Sequence, residues 1–84
     1  MRSPRRIEHV IETLDATIAR VDYRTGELWA VADDGLMEFI LSDRCQLWFN
    51  GRPAPFRVFH PLDRIRVQYV DYGYCLIAQA LYLW

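Results

Sequence analysis

Adjacent carboxylates offer the first candidate chemistry in this sequence. Asp33 and Asp34 stand side by side, and paired carboxylates can serve acid–base catalysis or bind a metal ion. The same pair precedes Gly35, however, and Asp-Gly is a strong signal for a tight hairpin turn because glycine readily adopts a positive φ. We therefore predict that Asp33 and Asp34 form a turn and carry out no catalysis.

Histidine and cysteine residues are few and lie far apart in the sequence. His9 and His60 belong to no nucleophile, phosphate-loop or zinc-binding motif. Cys45 and Cys75 lack Cys-x-x-Cys spacing and are expected to be small buried thiols in a reducing compartment, although the sequence leaves a disulfide between them open. We therefore expect no enzymatic activity, no catalytic residues and no cofactor.

Aromatic and arginine side chains offer a second kind of chemistry, which is binding. The large aromatic residues exceed what one small core can bury, and arginines occupy positions that should face solvent. On OB-type barrels, single-stranded nucleic acid is held by aromatic side chains that stack on the bases and by arginines that contact the phosphates. Trp, Tyr and Arg are also enriched as anchors in protein interfaces. The candidate binding surface comprises Arg20, Trp29, Trp48, Arg64, Arg66, Tyr82 and Trp84.

Composition and charge favour a protein partner over the alternatives. The chain has 84 residues and a net charge of −1, so no overall field attracts nucleic acid or an anionic membrane. No apolar stretch approaches the ~20 residues that span a bilayer, and the basic start, 1–6, leads into charged residues rather than an apolar signal region. We expect a cytoplasmic protein without a membrane partner that binds a protein or self-associates, with single-stranded nucleic acid as the alternative.

The N-terminal segment has the spacing of a short amphipathic helix. Its periodic apolar residues are Ile7, Val10, Ile11 and Leu14. Ser3-Pro4 supplies an N-cap and a first helical residue. The spacing predicts a helix within residues 1–15, packed on a β barrel formed by residues 16–84, in one domain. Alternatively, residues 13–21 form one long first strand.

The remaining chain has β periodicity interrupted by turns. Predicted strands cover residues 16–21, 27–32, 36–41, 46–49, 62–70 and 74–84. Ser42–Arg44 should interrupt the strand pattern between the third and fourth strands, and Asn50-Gly51 should form a turn. The segment 56–59 should lay apolar side chains over one end of the barrel.

The last two strands are the clearest element of the pattern. Ile65, Val67 and Tyr69 alternate with polar residues, which predicts one buried and one solvated face. The turn at 71–73 should make these strands an antiparallel hairpin that closes the barrel. The final strand lacks a charge or proline near its end, so we expect an exposed edge that can pair with another chain. Alternatively, its terminal aromatics cover the N-terminal helix.

These turn and strand signals follow one another in a characteristic order. They are Val21-Asp22, Gly26, Leu28–Val31, Asp34-Gly35, Phe39–Leu41, Asn50-Gly51, Asp63–Val67 and Ala78–Leu81. The order resembles a family of small bacterial β-barrel domains of unknown function, over roughly residues 16–83. The resemblance implies an OB-like barrel and no established chemistry. Leu62 stands where that family usually has glycine, and Cys45 stands where threonine is common.

The chain is also similar to periplasmic copper-chaperone barrels, which hold Cu(I) with one histidine, two methionines and a tryptophan on neighbouring strands. Trp29 and Met37 are present here, but that region has no histidine and no second methionine. Because Cu(I) prefers such soft ligands, we predict no metal partner.

The sequence as a whole predicts a mainly β fold. We expect a small OB-like barrel, closed or partly open, with five or six antiparallel strands and a short N-terminal α-helix. Its expected function is that of a small binding or interaction module.

Overall fold

β-Strands dominate the part of the chain that the computed structural model describes, which is residues 10–84. The elements are β1 (Ile11–Asp22), β2 (Glu27–Ala32), β3 (Gly35–Phe49), β4 (Arg52–Pro53), a 3-10 turn (Phe56–Val58), β5 (Arg64–Asp71) and β6 (Leu76–Leu83). Residues 10–84 contain no α-helix, and hence no helix that could cross a membrane. The predicted mainly β fold is confirmed.

Five strands close into a barrel. Their order is β2-β1-β5-β6-β3, and β3 pairs back with β2, while the two-residue β4 adds to the outer side of β3. The predicted closed barrel is therefore confirmed. The expectation of antiparallel pairing throughout is wrong, because β3 and β6 are parallel. A closed ring of five strands must contain a parallel contact, since an odd number of strands cannot alternate in direction at every neighbour.

The predicted N-terminal helix is wrong over residues 11–15, which form the first part of β1. Ile11 pairs with Val70, and the antiparallel register continues to Thr17. Leu14 packs against the core, so pairing with β5 satisfies the backbone while burying this side chain. A two-turn helix is marginal by itself and cannot compete with such pairing. The alternative of a long first strand is the better description, and the helical positions 1–9 lie outside the described residues.

β3 is a single strand of 15 residues, where two strands and a break had been expected. Its register with β6 shifts between Leu41 and Gln46. The residues between them, including the predicted break at 42–44, therefore form an irregularity within a continuous strand. Such a bulge bends a strand without ending it. β3 pairs with β2 along residues 35–40 and with β6 on both sides of the bulge, at residues 39–41 and 46–49.

The hairpin of β5 and β6 has the predicted alternation. Ile65 and Val67 are fully buried, and Tyr69 is 8% exposed. The ring of Tyr69 packs edge to face on Phe39, with 5.2 Å between ring centroids. Aromatic pairs favour this geometry, and the dry face of the hairpin thus forms the centre of the core.

The predicted exposed edge on the last strand is wrong. β6 pairs with β5 on one side and with β3 on the other. Barrel closure therefore satisfies both edges of β6, and its end cannot recruit another strand by backbone pairing.

The loop before β5 covers one end of the barrel, as predicted. Phe59 is fully buried, and its carbonyl oxygen accepts a hydrogen bond of 2.6 Å from the hydroxyl of Tyr23. The ring of Phe56 lies edge-on to Tyr23 at 5.4 Å. This loop is therefore fixed to the β1–β2 turn by both packing and a hydrogen bond.

Candidate binding face

A row of large side chains crosses the outside of β5, β6 and β3. Arg66 pairs in register with Tyr82, and Tyr82 pairs in register with Trp48. Residues opposite one another on neighbouring strands share a face of the sheet. Residues next to this row on its strands pack into the core, namely Leu47, Ile65, Val67, Leu81 and Leu83. The row therefore faces outward, and together with Trp84 we call it the outer aromatic face (Trp48, Arg66, Tyr82 and Trp84).

Trp84 is the most exposed aromatic side chain of this face, with 59% of its surface accessible. The guanidinium carbon of Arg66 lies 5.3 Å from its ring centroid, which is cation–π geometry. Arg66 also donates two hydrogen bonds to Asp15, from Nε to Oδ1 at 2.8 Å and from Nη2 to Oδ2 at 3.2 Å. These bonds lower the pKa of Asp15 below its usual value. The Arg66 guanidinium is thus oriented, and its charge is compensated.

Tyr82 and Trp48 form the more buried part of the face. The Tyr82 hydroxyl donates to Oε1 of Gln68 at 3.4 Å. Trp48 is half-buried, and its indole nitrogen is enclosed without a hydrogen-bond partner among the described residues. Trp48 therefore contributes ring surface to the face while its polar atom stays inaccessible.

The remaining predicted surface residues lie elsewhere on the barrel. Arg20 on β1 stacks over Trp29 on β2, with 4.7 Å between the guanidinium carbon and the ring centroid. Arg64 is exposed on β5 and is in register with Thr17 of β1. The seven residues predicted as one surface are therefore divided between the outer aromatic face, the Arg20–Trp29 pair and Arg64.

Asp15 is the residue that the sequence analysis missed. It had been placed on a helix, where no contact with Arg66 could be foreseen. The signal that could have found it is the alternation of Thr13, Asp15 and Thr17 with apolar residues, which is a strand pattern. Antiparallel pairing of that strand with β5 then brings the carboxylate opposite Arg66.

The chain has the fold of a small closed β barrel, and known proteins with this fold provide the comparison. No protein-family model matches the chain, and no curated protein sequence matches it. Several solved structures match its fold. Apo-CusF from Escherichia coli has a TM-score of 0.74 and 10% identity over 100% of this chain and 99% of its own.

Two further similar structures contain a bound metal ion. A Cu(II) complex of an Escherichia coli CusF variant with tryptophan replaced by alanine has a TM-score of 0.70 and 10% identity, covering 88% of this chain and 91% of its own. Ag(I)-bound CusF has a TM-score of 0.69 and 10% identity, covering 89% and 99%. None of these three structures supports the nucleic-acid alternative.

The prediction that excluded metal as a partner is contradicted by these neighbours. The barrel that this chain resembles binds Cu(II) and Ag(I) in CusF. The exclusion had rested on soft ligands missing near Trp29 and Met37. That exclusion considered only one set of ligands, whereas CusF structures of this fold contain Cu(II) and Ag(I).

The soft donors of this chain are distributed over several places. Trp29 lies opposite Glu38, whereas Met37 lies opposite Ala30, a core residue, so Trp29 and Met37 point to opposite faces of the sheet. Cys45 packs against the core, and burial raises the pKa of its thiol to about 12. Cys75 lines a shallow hollow with Glu38. Both thiols are free, and residues 10–84 contain no cluster of three His, Cys, Asp or Glu ligands.

Proposed function

We propose that this chain is a small β-barrel binding module that engages a protein partner through the outer aromatic face. The observation that carries the proposal is the register of β3, β6 and β5, which places Trp48, Tyr82 and Arg66 in one outward row. Trp84 extends that row as an exposed ring. Trp, Tyr and Arg are the residue types enriched among interface hot spots.

The charges of the face favour protein over nucleic acid. Arg66 is already paired with Asp15, so binding a phosphate would require it to exchange one anion for another. Nucleic-acid affinity depends largely on uncompensated basic charges, and the chain carries a net charge of −1. A stacked, oriented guanidinium beside an exposed indole is instead suited to a mixed apolar and polar protein surface. The proposal includes no catalytic step.

Site-specific photo-crosslinking tests this proposal. A benzophenone amino acid replaces Trp84 in one variant and Tyr74 in the matched control, since Tyr74 is 89% exposed in the turn between β5 and β6. We expect discrete cross-linked products in cells from position 84 and none from position 74. Their masses distinguish a second copy of the chain from another protein.

Competition makes the result specific to the face. Excess unmodified protein should suppress cross-linking at position 84, whereas the Trp84→Ala protein should suppress it weakly. Equal products from positions 84 and 74 would overturn the proposal. So would the absence of products combined with a strict monomer in sedimentation over the micromolar range.

A second candidate function is the binding of a soft metal ion, which the similarity to Cu(II)- and Ag(I)-bound barrels favours. Thiolate and thioether sulfur are the donors that such ions select. Within residues 10–84, the sulfur of Cys75 lines a surface hollow together with Glu38. Met37 is half-buried at the edge of the core and lines the cleft beside β1.

Native mass spectrometry with Ag(I) tests this second candidate. If the ion binds through Cys75, the one-to-one adduct should disappear in Cys75→Ser and persist in Cys45→Ser, because the Cys45 thiol is buried and strongly protonated. An adduct lost in Met37→Leu instead would assign the thioether. Absence of any adduct under equimolar Ag(I) would remove this candidate and leave the protein-binding proposal unaffected.

A further inference from the structure

A cleft opens where β1 diverges from β2. β2 pairs with β1 only along Thr17 to Asp22 of β1. The preceding residues of β1, 11–16, pair with β5, which lies on the opposite side of β1 from β2. The resulting space has a volume of about 620 Å³, and its walls include Met37, Tyr69 and the charged residues Asp15, Asp33, Asp34 and Arg64. This volume lies within the range of sites that bind small molecules or short peptide segments.

Within residues 10–84, some backbone groups of β1 beside this cleft have no partner strand. The N–H and C=O of one residue point to the same side of a strand, and successive residues alternate. Ile18 uses its N–H and C=O on the β5 side, bonding to Asp63 at 2.9 Å and Leu62 at 2.8 Å. Thr13 and Asp15 therefore direct their N–H and C=O away from β5, and no other strand of residues 10–84 pairs with them.

The cleft carries an excess of negative charge. Three carboxylates and one guanidinium line it, and Asp15 is already paired with Arg66. Asp33 and Asp34 are exposed on the rim opposite β1, at the turn between β2 and β3. A ligand that complements this rim carries positive charge. A ligand that pairs with the edge of β1 has an extended backbone.

Tyr69 offers a hydrogen-bonding group inside the cleft. It is 8% exposed as a residue and lines the cleft. Its hydroxyl is not among the enclosed, unpaired side-chain atoms of residues 10–84, so it can be reached from the cleft. Burial, and then the charges of Glu12, Asp71 and Asp34, raise the pKa of this phenol, so it remains a hydrogen-bond donor at neutral pH. A carbonyl oxygen of a bound backbone would be a suitable acceptor.

We propose that this cleft binds an extended basic polypeptide segment, which pairs with the open edge of β1 and sets its lysine or arginine side chains against Asp33 and Asp34. Addition of a strand to an open edge is an established mode of peptide recognition, in which backbone bonds provide affinity and side chains provide specificity. The available edge, Ile11–Asp15, accommodates about five residues at ~3.4 Å per residue. The site is distinct from the outer aromatic face but adjoins it through the Asp15–Arg66 pair.

The probe is an acetylated and amidated five-residue peptide of alternating arginine and valine. We expect saturable binding by NMR titration, with the amide hydrogens of Thr13 and Asp15 becoming slower to exchange in the complex. A peptide with glutamate in place of arginine should not bind. A peptide with N-methyl groups on alternate backbone nitrogens should also fail, because it cannot complete the ladder.

Variants of the barrel separate strand addition from general charge attraction. The double variant Asp33→Asn, Asp34→Asn should bind the arginine peptide about fivefold more weakly. This is the size of effect expected for the loss of two exposed charge pairs. Asp43→Asn, at an exposed position of β3 outside the cleft, is the matched control and should leave binding unchanged. Thr13→Pro should abolish binding while preserving the fold, because the N–H that it removes lies outside the β1–β5 ladder.

Three results would overturn this inference. They are no binding of the arginine peptide to the full chain at low salt, equal binding of the N-methylated peptide, and equal weakening by Asp43→Asn. A Thr13→Pro protein that does not fold would leave the paired aspartate variant and the N-methylated peptide to decide. None of these three results depends on Trp84, so failure here is distinguishable from failure of the proposed aromatic interface.

Discussion

Leu62 adopts a backbone conformation that suits glycine. Its φ is +78°, and its side chain is 83% exposed, so no packing offsets the steric cost. We expect Leu62→Gly to raise the free energy of unfolding by about 0.5–1 kcal/mol, since relief of left-handed strain exceeds the entropy that glycine adds to the unfolded chain.

Urea denaturation measures this change. Leu62→Ala is the control, because it removes the exposed side chain but keeps the Cβ atom that causes the strain, and its stability should match that of the wild type. The explanation is refuted if the alanine variant gains as much as the glycine variant, or if glycine destabilises the protein.

The Asp15–Arg66 pair predicts a pH dependence of stability. Hydrogen bonding to Arg66 lowers the pKa of Asp15 in the folded chain below its ordinary value of about 3.9 in the unfolded chain. The carboxylate therefore stabilises the fold above about pH 4, and this contribution disappears as the pH falls through the lowered folded pKa. Asp15→Asn should be less stable than the wild type at neutral pH, and the difference should shrink on acidification.

Denaturation of both proteins at neutral and acidic pH checks this prediction. In a background that carries Arg66→Gln, Asp15→Asn should lose most of its effect, because a double-mutant cycle isolates the pairwise interaction. A difference that is the same at both pH values, or the same in both backgrounds, would show that Asp15 acts by another route.

The local pattern of the sequence predicts the strands of this barrel better than their pairing. β2 was predicted with its observed bounds, and the turn at Asn50-Gly51 has the positive φ values of 53° and 78° that such a turn requires. Alternation and turn geometry are local properties, so a single sequence reveals them. The bulge in β3 and the strand form of residues 11–15 depend on partners distant in the sequence, which local periodicity cannot identify.

The same distinction applies to the candidate site. The outward position of Arg66 follows from alternation and was predicted. The grouping of Arg66 with Tyr82 and Trp48, their separation from Arg20 and Trp29, and the contact with Asp15 follow from register across four strands. Within residues 10–84, β1 has an open edge because it is longer than β2. This edge can be recognised only when the pairing of the two strands is known.

Within β3, burial decides how much each aromatic residue stabilises the barrel. Phe39 is fully buried and packs on Tyr69, whereas Phe49, at the end of the same strand, is 42% exposed. We expect Phe39→Ala to lower the free energy of unfolding by about 3–5 kcal/mol, through lost apolar burial and the cavity left behind.

Phe49→Ala, the matched control on the same strand, should cost about 1 kcal/mol or less. Thermal and urea denaturation of both variants provide the measurement. If Phe39→Ala is so destabilised that it does not fold, Phe39→Leu should remain folded and lose about 1–2 kcal/mol. Equal losses for Phe39 and Phe49 would contradict the assignment of the core.

The two ends of the molecule differ in how they are closed. At one end the loop with Phe56 and Phe59 packs on the β1–β2 turn through Tyr23. Near the β2–β3 turn the cleft beside β1 stays open. The outer aromatic face is built on β3, β6 and β5, which are paired on both sides. The backbone groups at the β1 edge, by contrast, have no partner strand within residues 10–84.

The closed end depends on one hydrogen bond that can be removed without changing the shape of the side chain. Tyr23→Phe deletes the donor to the Phe59 carbonyl, and we expect it to lower the free energy of unfolding by about 0.5–1.5 kcal/mol. Tyr74→Phe, which deletes a hydroxyl from a ring that is 89% exposed, should leave stability unchanged.

In the Tyr23→Phe protein, hydrogen exchange should accelerate at the Phe59 amide, which donates to the Phe56 carbonyl at 3.0 Å within the same loop. The amides of β5 and β6 should keep their protection in native conditions. Unchanged exchange at Phe59 in the Tyr23→Phe protein would mean that apolar packing alone holds the loop against the barrel.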